Sequence, residues 1–231
     1  MLPNPHVYPE AEMAEYDAVW YEVLVLRSTW KMFLQLFGTE SALELLNRTA
    51  PEVFSLCQDA LFDSLVAAIG RLADPAQTGG NHNLSLLHLV ERVDTSKYPD
   101  VAKELLAANE KVVQTYEPVK QVRNRLISHL DLRTCMDPKS LPIVARNEIG
   151  AVVEAIVGLM DLLDRHFCGA PVVCRDLASG GGDRLLKLLH DAEKYLEDQA
   201  DIHSANAALA ECGELIPLDR VLAEFGADLP S

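Results

Sequence analysis

Apolar residues recur at spacings of three and four along nearly the whole chain, and alternation with period two is almost absent, which predicts an all-α protein. A first long helix is expected over residues 10–37, with Val19, Trp20, Val23, Leu26, Trp30, Phe33 and Phe37 on one stripe and Gly38 as its stop. A short helix follows over 41–48. Thr49, ahead of Ala50 and Pro51, is placed to cap the next one, which runs over 51–72 with Val53, Phe54, Cys57, Leu61, Leu65, Ala68 and Leu72 facing inward. Residues 74–83 (DPAQTGGNHN) read as a surface loop, and Asn83 as the N-cap of a helix of about ten residues that starts at Leu84.

The next helix is expected over 99–116. Glu117-Pro118 should break or kink the chain there, because the residue before proline is pushed away from helical dihedrals, and a new helix then carries PVKQVRNRLISHLDL. After a loop at 137–142, the apolar run over 144–167 reads as the central pillar of a bundle. SGGG at 179–182 reads as a linker, followed by a helix from Asp183 towards Ala210 and a last amphipathic piece, LDRVLAEF. The expected architecture is a helical bundle over residues 1–170 with an acidic helical C-terminal extension over 171–231.

Composition supports a folded chain: 49% of the 231 residues are apolar, with only 12 Gly and 12 Pro, enough to bury a core and unlike a disordered or repetitive protein. The first residues lack the basic start and apolar stretch of a signal peptide, and no run of about 18 apolar residues appears, so a cytoplasmic protein without a membrane partner is expected. The five cysteines, at 57, 135, 168, 174 and 212, form no CxxC pair and read as reduced thiols. His166, Cys168 and Cys174 come near metal-ligand spacing but lack a fourth donor, so neither a metal nor a cofactor is expected.

Charge narrows the search for a site. The net charge of −15 argues against a protein that coats nucleic acid through its overall field. Yet residues 111–133 hold five basic side chains (Lys111, Lys120, Arg123, Arg125, Arg133) against Glu117 and Asp131, a balance of +3, whereas 183–231 hold four basic and eleven acidic, a balance of −7. Any phosphate should be met near residue 120.

No HExxH, GxSxG or phosphate-loop pattern occurs, and the glycines of SGGGDR are followed by neither Lys-Ser nor Lys-Thr. What stands out is Arg123-Asn124-Arg125-Leu126-Ile127-Ser128-His129. On an ideal helix six positions give roughly 120° of rotation and about 9 Å of rise, so Arg123 and His129 can enter one cleft against a second helix, with Asn124 orienting one of them. A guanidinium clamps phosphate through two hydrogen bonds and an imidazole moves a proton near neutral pH. These are the two tasks in cleaving RNA by its own 2′-hydroxyl without a metal. The same spacing recurs at Arg184 and His190, without the polar residue or the basic surroundings, and reads as a solvent-exposed helix face. Spacing alone leaves a second reading open for the first copy, in which Arg123 pairs with an acidic neighbour and His129 hydrogen-bonds within a helical interface.

The chain resembles the HEPN superfamily (higher eukaryotes and prokaryotes nucleotide-binding), in particular the bacterial branch related to the abortive-infection protein AbiU. The resemblance rests on RNxxxxH at Arg123, Asn124 and His129, continued by HLDLR, and on WYEVLVLRSTWKMFLQLFG, ELLNRTAPEVFSLCQDALFDSLVAAIGRLAD and GGNHNLSLLHLV earlier in the chain. It covers about residues 10–167. It implies a HEPN-like bundle that forms a homodimer with two Arg/His motifs facing across one cleft, and in many members a metal-independent endoribonuclease of phage defence or toxin–antitoxin systems. His129 would then be the general acid or base, Arg123 would hold the scissile phosphate, and Asn124 would position the phosphate or His129. Lys120, Arg125 and Ser128 are candidate substrate-binding neighbours on physical grounds. RNA, a second copy and an antitoxin protein are the implied partners. The alternative is a non-catalytic HEPN-like nucleotide-binding or protein-interaction module.

Overall fold

The computed structural model describes residues 10–127, 136–137, 144–167, 180–211, 213 and 216–225. Among them lie eight α-helices: α1 (Glu10–Phe37), α2 (Glu40–Thr49), α3 (Pro51–Ala73), α4 (Leu86–Glu91), α5 (Pro99–Val122), α6 (Arg146–Phe167), α7 (Gly181–Ala210) and α8 (Leu218–Phe225). The chain divides into two compact units, Met1–Leu186 and Lys187–Ser231. The fold is all-α, as the periodicity predicts.

In the first unit α1, α3, α5 and α6 pack around one core, with α5 against α6 the most extensive pairing. The predicted stripe on α1 lies inward: Val19, Val23, Leu26, Phe33 and Phe37 are buried, with Trp30 stacked on Phe33 and Phe33 tilted against Phe37. Helix α6 is the pillar, burying Ile149, Val152, Val153, Ile156, Leu159, Met160 and Leu163. Arg146, in its first turn, donates to the carbonyls of Phe37 and Gly38 and so caps the C-terminus of α1. Asp164 is fully buried and accepts a hydrogen bond from the Tyr16 hydroxyl, which joins α6 to α1.

Several local expectations are corrected. The stripe on α3 is buried only in its C-terminal half, at Leu65, Ala68 and Leu72, whereas Val53 and Cys57 are exposed and Leu56 is 71% exposed. Helix α3 is apolar and long enough to cross a membrane by length and composition alone, yet its C-terminal half is part of this core. Thr49 does not cap α3: its hydroxyl donates back to the Leu45 carbonyl, and Ala50 stands at the N-cap without a side-chain bond. Residues 74–83 are more than a loop, because Gln77–Thr78 pairs antiparallel with Asn81–His82. Gly79 and Gly80, at φ 56° and 87°, supply the two left-handed residues that a tight hairpin turn requires. Asn83 closes that hairpin through Pro75 and Thr78, and Ser85, not Asn83, caps α4.

Helix α5 does not break at Glu117-Pro118 but continues to Val122 with Pro118 inside it. Burial of Val112, Tyr116, Val119 and Val122 on one face outweighs the lost backbone hydrogen bond. The expected linker is helical in part: Gly181 and Gly182 start α7. The Gly182 amide donates to Gln35 Oε1 and Gln35 Nε2 donates to Asp183, so α1 supplies a partner for an amide of the first turn that α-helical geometry leaves unpaired. The second unit holds the rest of α7 and α8. Leu188, Tyr195, Leu196, Ile202 and Leu209 are exposed there, as is His190.

Candidate functional site

The regular hydrogen bonding of α5 ends at Val122, and Arg123–Ile127 follow as one π-helical turn against α3. Such a turn holds more residues than an α-turn, so the ideal-helix arithmetic for Arg123 and His129 does not carry through it. Single π-turns of this kind are frequent at functional sites. Lys120, Arg123, Asn124 and Arg125 therefore lie together on the last turn of α5 and the π-turn. Ser128 and His129 lie outside the described residues, as do Cys135, Cys168, Cys174 and Cys212.

Arg123 reaches across to the C-terminus of α3. Its Nη1 donates to Asp74 Oδ1 at 3.1 Å and its Nη2 to Asp74 Oδ2 at 2.9 Å, a two-pronged ion pair whose side chains are 24% and 25% exposed. Asp74 is set by the end of its own helix, where it is the C-cap and its amide donates to the Gly70 carbonyl. Gly70 makes the approach possible, because a Cβ at that position would lie 2.6 Å from Arg123 Nε.

Beneath the pair lies Tyr116, two helical turns before Arg123 on the same face of α5. It is 3% exposed, and its hydroxyl is near enough to feel both charges but makes no hydrogen bond of ordinary geometry. Burial raises its pKa above the usual tyrosine value. The Asp74 and Glu117 carboxylates push it the same way, and the Arg123 guanidinium opposes them.

The other candidates sit outward. Asn124 and Arg125 are exposed, and Lys120 is exposed with Glu117 3.6 Å from its Nζ. Lys120 and Arg123 thus each have a carboxylate beside them. The basic balance counted along the chain is smaller in space, since Asp74 lies 49 positions from Arg123 and falls outside the count. No group of three or more His, Cys, Asp or Glu side chains that could hold a metal occurs among the described residues. The second Arg/His copy is exposed at both Arg184 and His190.

Sequence reading missed Asp74, Gly70 and Tyr116. Tyr116 carried a usable signal, since a spacing of seven puts it on the Arg123 face. Asp74 and Gly70 carried none, because their pairing with Arg123 depends on how α3 packs.

No curated protein and no solved structure matches the chain. The family model described as AbiU2, of the HEPN group, matches residues 13–202, which takes in α1 to α6, the π-turn and most of α7. That span includes the Arg123 site with the α3 residues that hold it, and it exceeds four-fifths of the chain; the protein belongs to the AbiU2 family of HEPN domains, a family of abortive-infection type.

Proposed function

We propose that this chain is a metal-independent endoribonuclease of phage defence or of a toxin–antitoxin system, cleaving RNA at a site shared by two copies. The observation that carries the reading is the placement of Arg123: the arginine of RNxxxxH opens the π-turn at the end of α5 and is held by Asp74 at the partly exposed C-terminus of α3. A guanidinium held against a helix end is partly ordered before a phosphate arrives. His129 would remove the 2′-hydroxyl proton or return one to the leaving 5′-oxygen, and a second copy would supply the other half of that exchange. Attack of the 2′-oxygen on phosphorus breaks the P–O5′ bond and leaves a 2′,3′-cyclic phosphate and a 5′-hydroxyl. Arg123 would stabilise the charge that grows on the phosphoryl oxygens. Asn124, Lys120, Arg125 and Ser128 would hold flanking phosphates or orient His129. A cytoplasmic protein whose acidic surface suits a basic antitoxin partner fits this reading.

A second reading is favoured by the ion pair itself. In it the Arg123–Asp74 contact only joins α5 to α3, and the chain is a nucleotide-binding or protein-interaction module without catalysis. The experiment is RNA degradation by chelator-treated protein. The nuclease yields cyclic-phosphate ends, and His129→Ala abolishes them with helicity and sedimentation unchanged. Absence of cleavage by wild-type protein selects the module, and cleavage that survives His129→Ala removes that histidine from the mechanism.

A further inference from the structure

We infer that Asp74 is an internal competitor for the anion that Arg123 binds, so that the site admits a polynucleotide but discriminates against an isolated phosphate. The inference rests on the proposed RNA-binding role of Arg123.

Guanidinium binds an oxyanion best through two parallel N–H donors, and the Nη1/Nη2 edge of Arg123 is already used this way by the two oxygens of Asp74. On the α3 side the backbone of Gly70 lies over the face of the guanidinium at Nε, where one added carbon would come 2.6 Å away. A phosphate that takes the Nη1/Nη2 fork must displace the carboxylate.

That exchange replaces one charge-assisted pair by another of similar kind, so at Arg123 alone it gains little. It also leaves the Asp74 carboxylate beside a second anion. A net gain has to come from further phosphates of the same strand, met by the exposed Lys120, Asn124 and Arg125 on the adjoining turns and accompanied by counterion release. Free phosphate offers no such contacts. Asp74 thus acts as an affinity threshold built into the end of α3.

The test is the affinity of the full chain, free of metal, for a fluorescent 2′-O-methyl oligoribonucleotide, which lacks the nucleophile and cannot be cleaved. Asp74→Asn keeps the shape of the side chain and removes its charge. It should bind at least about fivefold more tightly than wild type, as expected for loss of a competing ion pair worth about 1 kcal/mol. Asp63→Asn, on the exposed face of the same helix, removes the same charge and should change affinity less than about twofold. In an Arg123→Ala background Asp74→Asn should give no gain. Asp74→Ser is the second neutral variant should circular dichroism show the amide variant misfolded.

Equal or weaker binding by the neutral variants, a gain that persists without Arg123, or no binding by any variant overturns the inference. Its failure is separable from that of the nuclease reading. Tighter binding by Asp74→Asn with no cleavage of ordinary RNA by wild type sinks the nuclease and keeps the competitor. Wild-type cleavage that depends on Arg123 and His129, with weaker binding by Asp74→Asn, does the reverse.

Discussion

Gly70 and Arg123 are in a contact that only a residue without a side chain allows: a Cβ on Gly70 would lie 2.6 Å from Nε, 3.0 Å from Cδ and 3.1 Å from Cζ of the arginine. The charged end of α5 rests directly on the backbone of α3. Gly70→Ala should therefore destabilise the protein by about 1 to 3 kcal/mol through overpacking, although alanine is intrinsically the better helix former by about 1 kcal/mol. The opposing terms separate in a second background. With Arg123→Ala in place the obstruction is gone, and Gly70→Ala should become neutral or stabilising. Urea midpoints of the four proteins, at unchanged slope, check this.

Tyr116→Phe should be neutral or should stabilise the protein by up to about 1 kcal/mol. The hydroxyl it removes is buried and makes no ordinary hydrogen bond, so deleting it recovers a desolvation cost without breaking a pair. A thermal midpoint lowered by several degrees would show that the hydroxyl does bond the Arg123 guanidinium.

The two halves of α3 should respond differently to truncation. Leu65, 1% exposed, lies in the core, and Leu65→Ala should cost about 2 to 5 kcal/mol. Leu56, 71% exposed, should change stability by no more than about 0.5 kcal/mol on substitution by lysine. Chemical denaturation of both variants checks the difference, and a large cost at Leu56 would place that half of α3 in an interface.

Acid sensitivity should localise in part to Glu15. Its carboxylate accepts from His88 at 2.9 Å and lies 3.7 Å from Arg92, tying α1 to α4. The His88 hydrogen bond, with the His88 and Arg92 charges adding to it and partial burial opposing, holds the Glu15 pKa below the ordinary 4.5. A carboxyl whose pKa is lower in the folded state contributes stability that is present above 4.5 and lost as pH falls through the lowered value. Glu15→Gln should be less stable than wild type at pH 7, and the gap should close once the medium is more acidic than that value. A gap that is constant across this range would mean that the pair contributes through shape rather than charge.

The helices were legible in the chain because their signal is local. Apolar positions three and four apart mark the inward faces of α1 and α6 whatever packs on them, and RNxxxxH with its surroundings points to the AbiU branch. Local rules misled where burial overrode them. Pro118 predicts a break, but the buried face of α5 carries the helix past it; the apolar stripe of α3 predicts burial throughout, but among the described residues only its second half is buried. A pair such as Asn83 and Ser85 shows the finer limit, since both are good helix caps and only the hairpin decides which is free to serve.

An all-α chain, its long helices and the position of the arginine motif are thus encoded locally, in the spacing of neighbouring residues. What Arg123 touches is set by packing. Asp74 and Gly70 stand about fifty positions away, and their meeting with the guanidinium depends on the angle and register at which α3 packs against α5. Many side chains together set that geometry, and no single spacing in the chain encodes it.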